Sequence, residues 1–207
     1  MLGFNRRRLF AVIAAVVAGV GIGAGSHFLM RDGAPATVRE VVGGFGEAAI
    51  GGPFRLIDSD GRERTDADFR GKLMLVEFGY TFCPDVCPLG LQLFADVLER
   101  LGPAAEEITP VFITLDPARD TPQVLKPYVE HFSPRIVALT GSREAIDAAA
   151  KAYRVYHRLG ADNATNPNYL VDHSAILYLM GRDGKFLMHF THETPPERVA
   201  TAIRSRL

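Results

Sequence analysis

The sequence predicts an α/β domain, a central mixed β-sheet flanked by helices with a hairpin in front, carried behind an N-terminal transmembrane helix. Three observations point there. Short apolar runs of strand length alternate with stretches of helical period, two further strands joined by a tight turn follow them, and an uncharged apolar segment precedes everything.

Residues 1–30 read as a membrane anchor. Arg6, Arg7 and Arg8 precede residues 9–30, where His27 is the one ionisable side chain in a stretch long enough to cross the hydrocarbon core once. The positive-inside bias keeps the arginines on the cytoplasmic face and sends everything after Met30 across the membrane. The expectation is a single-pass inner-membrane protein with its C-terminal domain in a bacterial periplasm, since no Arg/Ser-rich, acid-poor leader is visible. A signal peptide is the competing reading, because residues 9–20 are the densest apolar run and Ala34-Pro35-Ala36 has the small residues of a cleavage site; the compartment is the same. Residues 31–51, rich in Gly and Ala without an apolar period, read as a linker, and the domain as residues 52–207.

Within the domain, residues 54–57 and those after Gly61 flank the turn cluster Asp58-Ser59-Asp60-Gly61, which predicts a hairpin. Residues 73–80 are a strand-length apolar run. A cysteine-bearing loop follows, and then Leu89, Leu91, Phe94, Val97, Leu98 and Leu101 recur at helical spacing until Gly102-Pro103 stops them. The pattern continues with a strand over 108–115, a helix over 122–132, a strand over 136–139 and a helix over 142–156 with Ser142 as N-cap. Residues 176–180 and 185–190 are strands joined by Gly181-Arg182-Asp183-Gly184, and 195–207 is a closing amphipathic helix. A β-α-β half followed by a β-β-α half is the thioredoxin-like order, here with an extra strand and helix inserted.

A net charge of −1 leaves no basic excess to neutralise a phosphate backbone, which argues against nucleic acid as a partner. The chain has two cysteines, Cys83 and Cys87. A bridge between them closes a tiny loop and adds little chain-entropy stabilisation, so their use is chemical rather than structural. They lie between a strand and a helix, where helix N–H groups favour thiolates. With residues 84–87 in the first turn, both sulfurs project from one face and share a soft metal ion; thiol exchange is the rival use.

A structural zinc site needs two more Cys or His near the loop, and none is there. Of the six histidines, His27 lies in the membrane segment, His131 and His157 fall near predicted helix ends, and His189 and His192 lie at the far end of the last strand. His173 differs. It follows a polar loop, residues 160–169, and leads into the strand that enters beside the cysteine loop in the thioredoxin order, which makes it the candidate third ligand. Asp172 beside it, and Asp116 at the carboxyl edge of the neighbouring strand, are candidates for tuning the site from outside the ligand shell. Asp120 and Thr121 read as helix preparation, one of them the N-cap before Pro122.

Three segments carry a resemblance. Gly79-Tyr80-Thr81-Phe82-Cys83-Pro84-Asp85-Val86-Cys87-Pro88 resembles the cysteine motif of the Sco/SenC family throughout. Asp116-Pro117-Ala118-Arg119-Asp120-Thr121-Pro122 is similar to its D-P-x-R-D-T-P segment, and Tyr169-Leu170-Val171-Asp172-His173-Ser174 to its Y-x-V-D-H-S segment. The resemblance implies a copper-binding chaperone of thioredoxin fold, rather than an enzyme, with Cys83, Cys87 and His173 as ligands. It further implies loading of the dinuclear copper centre of cytochrome c oxidase, with the copper-bearing subunit of that enzyme as partner, together with a copper donor and a thiol reductant. Two thiolates and an imidazole suit Cu(I), and imidazole with water extends the shell to Cu(II). A Cys83–Cys87 disulfide would abolish binding, so redox state gates loading. The alternatives are an extracytoplasmic thiol-disulfide oxidoreductase and a copper or redox sensor. The C-x-x-x-C spacing and the lack of a proline at 171 or 172 argue against the oxidoreductase.

Overall fold

The computed structural model describes residues 49–161 and 165–207. The segment read as an anchor and nearly all of the linker lie outside them, and among the described residues no helix is long and apolar enough to cross a membrane.

The strand that organises the rest is β3 (Leu73–Gly79), all seven residues of which are buried, as a strand covered on both faces must be. The predicted hairpin, β1 (Arg55–Asp58) and β2 (Glu63–Thr65), precedes it, its turn pinned by Asp58, which accepts N–H bonds from Asp60 and Arg62 and pairs with Arg64. After β3 come helix α1 (Val86–Leu101), β4 (Ile108–Thr114), helix α2 (Pro122–Glu130), β5 (Val137–Thr140) and helix α3 (Arg143–Ala152). A two-stranded ribbon of β6 (His157–Leu159) and β7 (Val171–His173) follows, then β8 (Leu177–Met180), β9 (Phe186–Phe190) and helix α4 (Pro196–Arg204).

Seven strands form one mixed sheet in the order β2-β1-β5-β4-β3-β8-β9, with β3, β4 and β5 parallel. On the other side of β3 the sheet continues with β8, which runs antiparallel and places Leu177 opposite Glu77. The residues that enter β8 therefore arrive at the carboxyl end of β3, where the cysteine loop leaves. Ligands of open α/β sheets bind where the chain departs to opposite sides of one strand in this way.

Helix α1 buries Leu91, Phe94, Val97, Leu98 and Leu101, which recur every three or four residues, and Gly102 at φ 57° ends it. Each such side chain stabilises the fold by about 1.5–3 kcal/mol. Leu89, expected on the same face, is instead half exposed, because it stands two residues from both Cys87 and Leu91 and so on the opposite side of the helix. Ser142 caps α3 through the Ala145 N–H, but the helix stops at Ala152 rather than 156. Arg154 adopts a left-handed φ of 56° and turns the chain out into β6, an element with no apolar alternation to announce it. Helix α2 also ends early, at Glu130 instead of 132.

Close packing of α1 on β3 depends on Gly79, where a β-carbon would lie 2.6 Å from Cys87 Sγ and 2.8 Å from Cε2 of Phe112. Both neighbours are fully buried and have nowhere to go. Gly79→Ala is expected to destabilise the chain by about 1–3 kcal/mol, read as a lower urea midpoint at unchanged slope.

Candidate metal centre

At the end of β3 the chain turns back, and the Cys83 N–H donates to the Tyr80 carbonyl at 3.2 Å. Helix α1 begins only at Val86, with Asp85 in the N-cap position, so residues 84 and 85 are not helical as expected. Cys83 thus sits in front of the helix and Cys87 in its first turn, and the Cys83 sulfur accepts the N–H groups of Asp85 and Cys87. Both cysteines are buried and free of a disulfide.

His173 closes the arrangement from the other side. Its Nδ1 lies 2.9 Å from the Val171 carbonyl, an acceptor, so Nδ1 carries the proton and the Nε2 lone pair faces Cys87 Sγ at 3.4 Å. Tyr80 braces this segment: its hydroxyl accepts the Val171 N–H at 3.2 Å, and its ring meets the His173 ring edge-on at 5.6 Å between centroids. One ligand atom from each of Cys83, Cys87 and His173 lies within 4.8 Å of the others, and among the described residues no other Cys, His or acidic side chains gather in this way. The three residues singled out in the sequence are brought together. The other described histidines are not: His157 lies in β6 and bonds Asp147 at 2.9 Å, His131 ends α2, and His189 stacks on Phe186 in β9.

The two thiols are unequal. The hydrogen bond from the Cys87 thiol, helped by backbone N–H groups and by His173, outweighs burial and holds Cys83 well below the ordinary thiol range. Cys87, which donates that bond, is pushed up, with burial and nearby Glu77 adding to the effect. The reduced pair thus holds one sulfur as thiolate. Glu77, on the same face of β3 as Gly79, is a buried carboxyl whose Oε2 has no hydrogen-bond partner, and burial raises it well above the usual carboxylate range. Gly90 in α1 leaves room for it, since a side chain there would collide with the carboxyl.

The acids around the site differ in what they hold. Asp120 is not a helix cap; it is fully buried and accepts the Thr81 N–H at 3.0 Å, the Thr81 hydroxyl at 2.5 Å and the Thr114 hydroxyl at 2.6 Å, fastening the cysteine loop to β4. Thr121 occupies the N-cap position of α2 without a side-chain bond. Asp116, also fully buried, accepts the Tyr169 hydroxyl at 2.7 Å and the Nε–H of Arg119, so it holds the segment leading to His173. Asp172 points away, 61% exposed and paired with Arg158 at 3.0 Å, because neighbours on a strand face opposite sides. Glu77, Tyr80 and Arg119 were not singled out in the sequence; the signal for Glu77 was an acid inside an otherwise apolar strand run.

A family model described as SCO1/SenC matches residues 43–207. Protein SenC of Rhodobacter capsulatus is 42% identical over 199 residues, covering 96% of this chain and 89% of its own. The mitochondrial SCO1 homolog of Homo sapiens is 37% identical over 200 residues, 96% of this chain and 64% of that protein, so the chain spans less than two thirds of that relative's length. Among solved structures, copper-bound ScoI of Bradyrhizobium japonicum is 40% identical with a TM-score of 0.71, covering 76% of this chain and 99% of that one. The central mixed sheet and flanking helices are those of a thioredoxin-like Sco structure.

The buried acid gives a pH dependence with a definite sign. Glu77 is neutral in the fold at pH values where an unfolded carboxyl is ionised, so its contribution is fully present below the ordinary carboxyl range and is lost as pH rises. Glu77→Gln is expected to match the parent at about pH 4 and to gain on it progressively toward about pH 8, as measured by urea unfolding.

Proposed function

The chain belongs to the SCO1/SenC family, and from that premise we propose that it is a copper chaperone. Held at the outer face of an inner membrane by residues 1–30, it carries one copper ion on Cys83, Cys87 and His173 to the dinuclear copper centre of cytochrome c oxidase. The observation that carries the reading is the gathering of two sulfurs and one imidazole nitrogen within 4.8 Å. Cys83 offers a thiolate, Cys87 yields its proton as metal replaces it, and His173 offers Nε2 because Nδ1 is committed to the Val171 carbonyl. Soft sulfur with one imidazole suits Cu(I), and three ligands leave a face open to a receiving protein's own ligands. The copper-bound state of the Bradyrhizobium japonicum neighbour supports the choice of metal. The destination rests on the family resemblance, and the compartment on Arg6, Arg7 and Arg8 before the apolar segment.

A second reading, a thiol-disulfide oxidoreductase, is favoured by one observation: the pair holds a thiolate at Cys83 beside a protonated Cys87, which suits attack by one sulfur and resolution by the other.

Anaerobic copper titration of the reduced chain separates the two. One tightly held copper per chain is expected. His173→Ala and Cys83→Ser should each weaken it by at least the ~10–100-fold that loss of an outer partner costs a metal site. Binding indifferent to His173, alongside rapid disulfide exchange, would instead promote the oxidoreductase.

A further inference from the structure

We propose that Arg119 is a positioning residue of the metal centre, tying the cysteine loop to the segment that carries His173 so that the third ligand meets the two sulfurs in one register. The inference rests on the metal-site reading above. The guanidinium carbon of Arg119 lies 3.7 Å from the ring centroid of Tyr169, 4.9 Å from that of Phe82 and 5.8 Å from that of Tyr80. Phe82 is the residue before Cys83, and Tyr169 stands four before His173. Tyr80 holds the Val171 N–H, two residues before His173. The planar cation therefore has both ligand-bearing segments for walls.

Two hydrogen bonds fix it there, and a third braces its acidic partner. Arg119 Nε donates to Asp116, Nη1 donates to the Pro167 carbonyl at 3.1 Å, and Asp116 also accepts the Tyr169 hydroxyl at 2.7 Å. Asp116 is fully buried and the Arg119 side chain only 21% exposed, so the pair is partly withdrawn from water and its geometry is stiff. Nη2 is buried without a hydrogen-bond partner. A guanidinium whose sole task was to neutralise Asp116 would turn that group to solvent, since a buried unpaired donor is costly. Stacking against aromatic faces with a forked pair of donors is what arginine does and lysine does not.

The test follows nitrogen as well as affinity. Cu(I) is added anaerobically to the reduced full chain and its neighbours are counted by X-ray absorption in the parent, Arg119→Met, Arg119→Lys, Phe82→Ala and His173→Ala, with thermal unfolding as a check on fold. The parent should show two sulfurs and one nitrogen. Arg119→Met should keep the sulfurs, lose the nitrogen and bind at least ~10-fold more weakly, and should add nothing further when combined with His173→Ala. Arg119→Lys should not restore the nitrogen. Phe82→Ala removes a half-exposed ring from one wall of the cation, and should weaken binding in the same direction by a smaller factor. Parent-like nitrogen and affinity in Arg119→Met, rescue by lysine, or losses that add to that of His173→Ala would each overturn the proposal. A parent without nitrogen would overturn the metal-site reading itself, and that result is seen before any variant is made.

Discussion

The antiparallel register of β8 on β3 is the constraint on which the candidate metal centre depends. With Glu77 opposite Leu177, a chain that enters β8 only four residues after His173 must pass the carboxyl end of β3. The cysteine loop leaves that same end. Side chains distant in sequence meet because one central strand has a parallel neighbour on one side and an antiparallel neighbour on the other. Slipping β8 by one residue would turn every one of its side chains to the other face and carry His173 away from the sulfurs.

Around that geometry the chain places three buried acids with different tasks. Asp120 and Asp116 are surrounded by donors and act as fasteners, one for the cysteine loop and one for the approach to His173. Glu77 lacks such donors and stays neutral at the back of the site. The contrast follows from supply. The loop after β4 offers hydroxyls, backbone N–H groups and an arginine, whereas the space between β3 and α1 is lined by glycine and apolar side chains. A carboxyl in an apolar gap without donors relieves its desolvation by holding its proton.

Most of the fold was legible because its long elements carry strong periods: the buried run of β3, the three-and-four spacing of α1 and the tight turn before β9. The gathering of three side chains that could hold a metal was legible too, Cys83 and Cys87 from their place after a strand and His173 from its place before one. What was missed lacks any periodic signal. The ribbon of β6 and β7 pairs His157, Arg158 and Leu159 with His173, Asp172 and Val171, short polar strands that read as loop. Asp120 looked like a cap because Asp before Thr-Pro usually is one; only the arrival of Thr81, thirty-nine residues earlier in the chain, gives it another use. The reach of Arg119 across two segments is a tertiary fact with no local trace.

The ribbon has a consequence for how the centre comes apart. Cys87 belongs to a helix seated on the seven-stranded sheet, and Cys83 is bonded to the first turn of that helix, so both sulfurs share the stability of the whole domain. His173 belongs to a separate two-stranded sheet of three residue pairs. Short, partly exposed ribbons open at far lower free energy than the core to which they are attached. The candidate centre therefore stands on two footings: the sulfurs on helix α1 and the strand before it, the imidazole on a small ribbon whose place is set by the bonds that Tyr80, Tyr169 and Arg119 make to its approach.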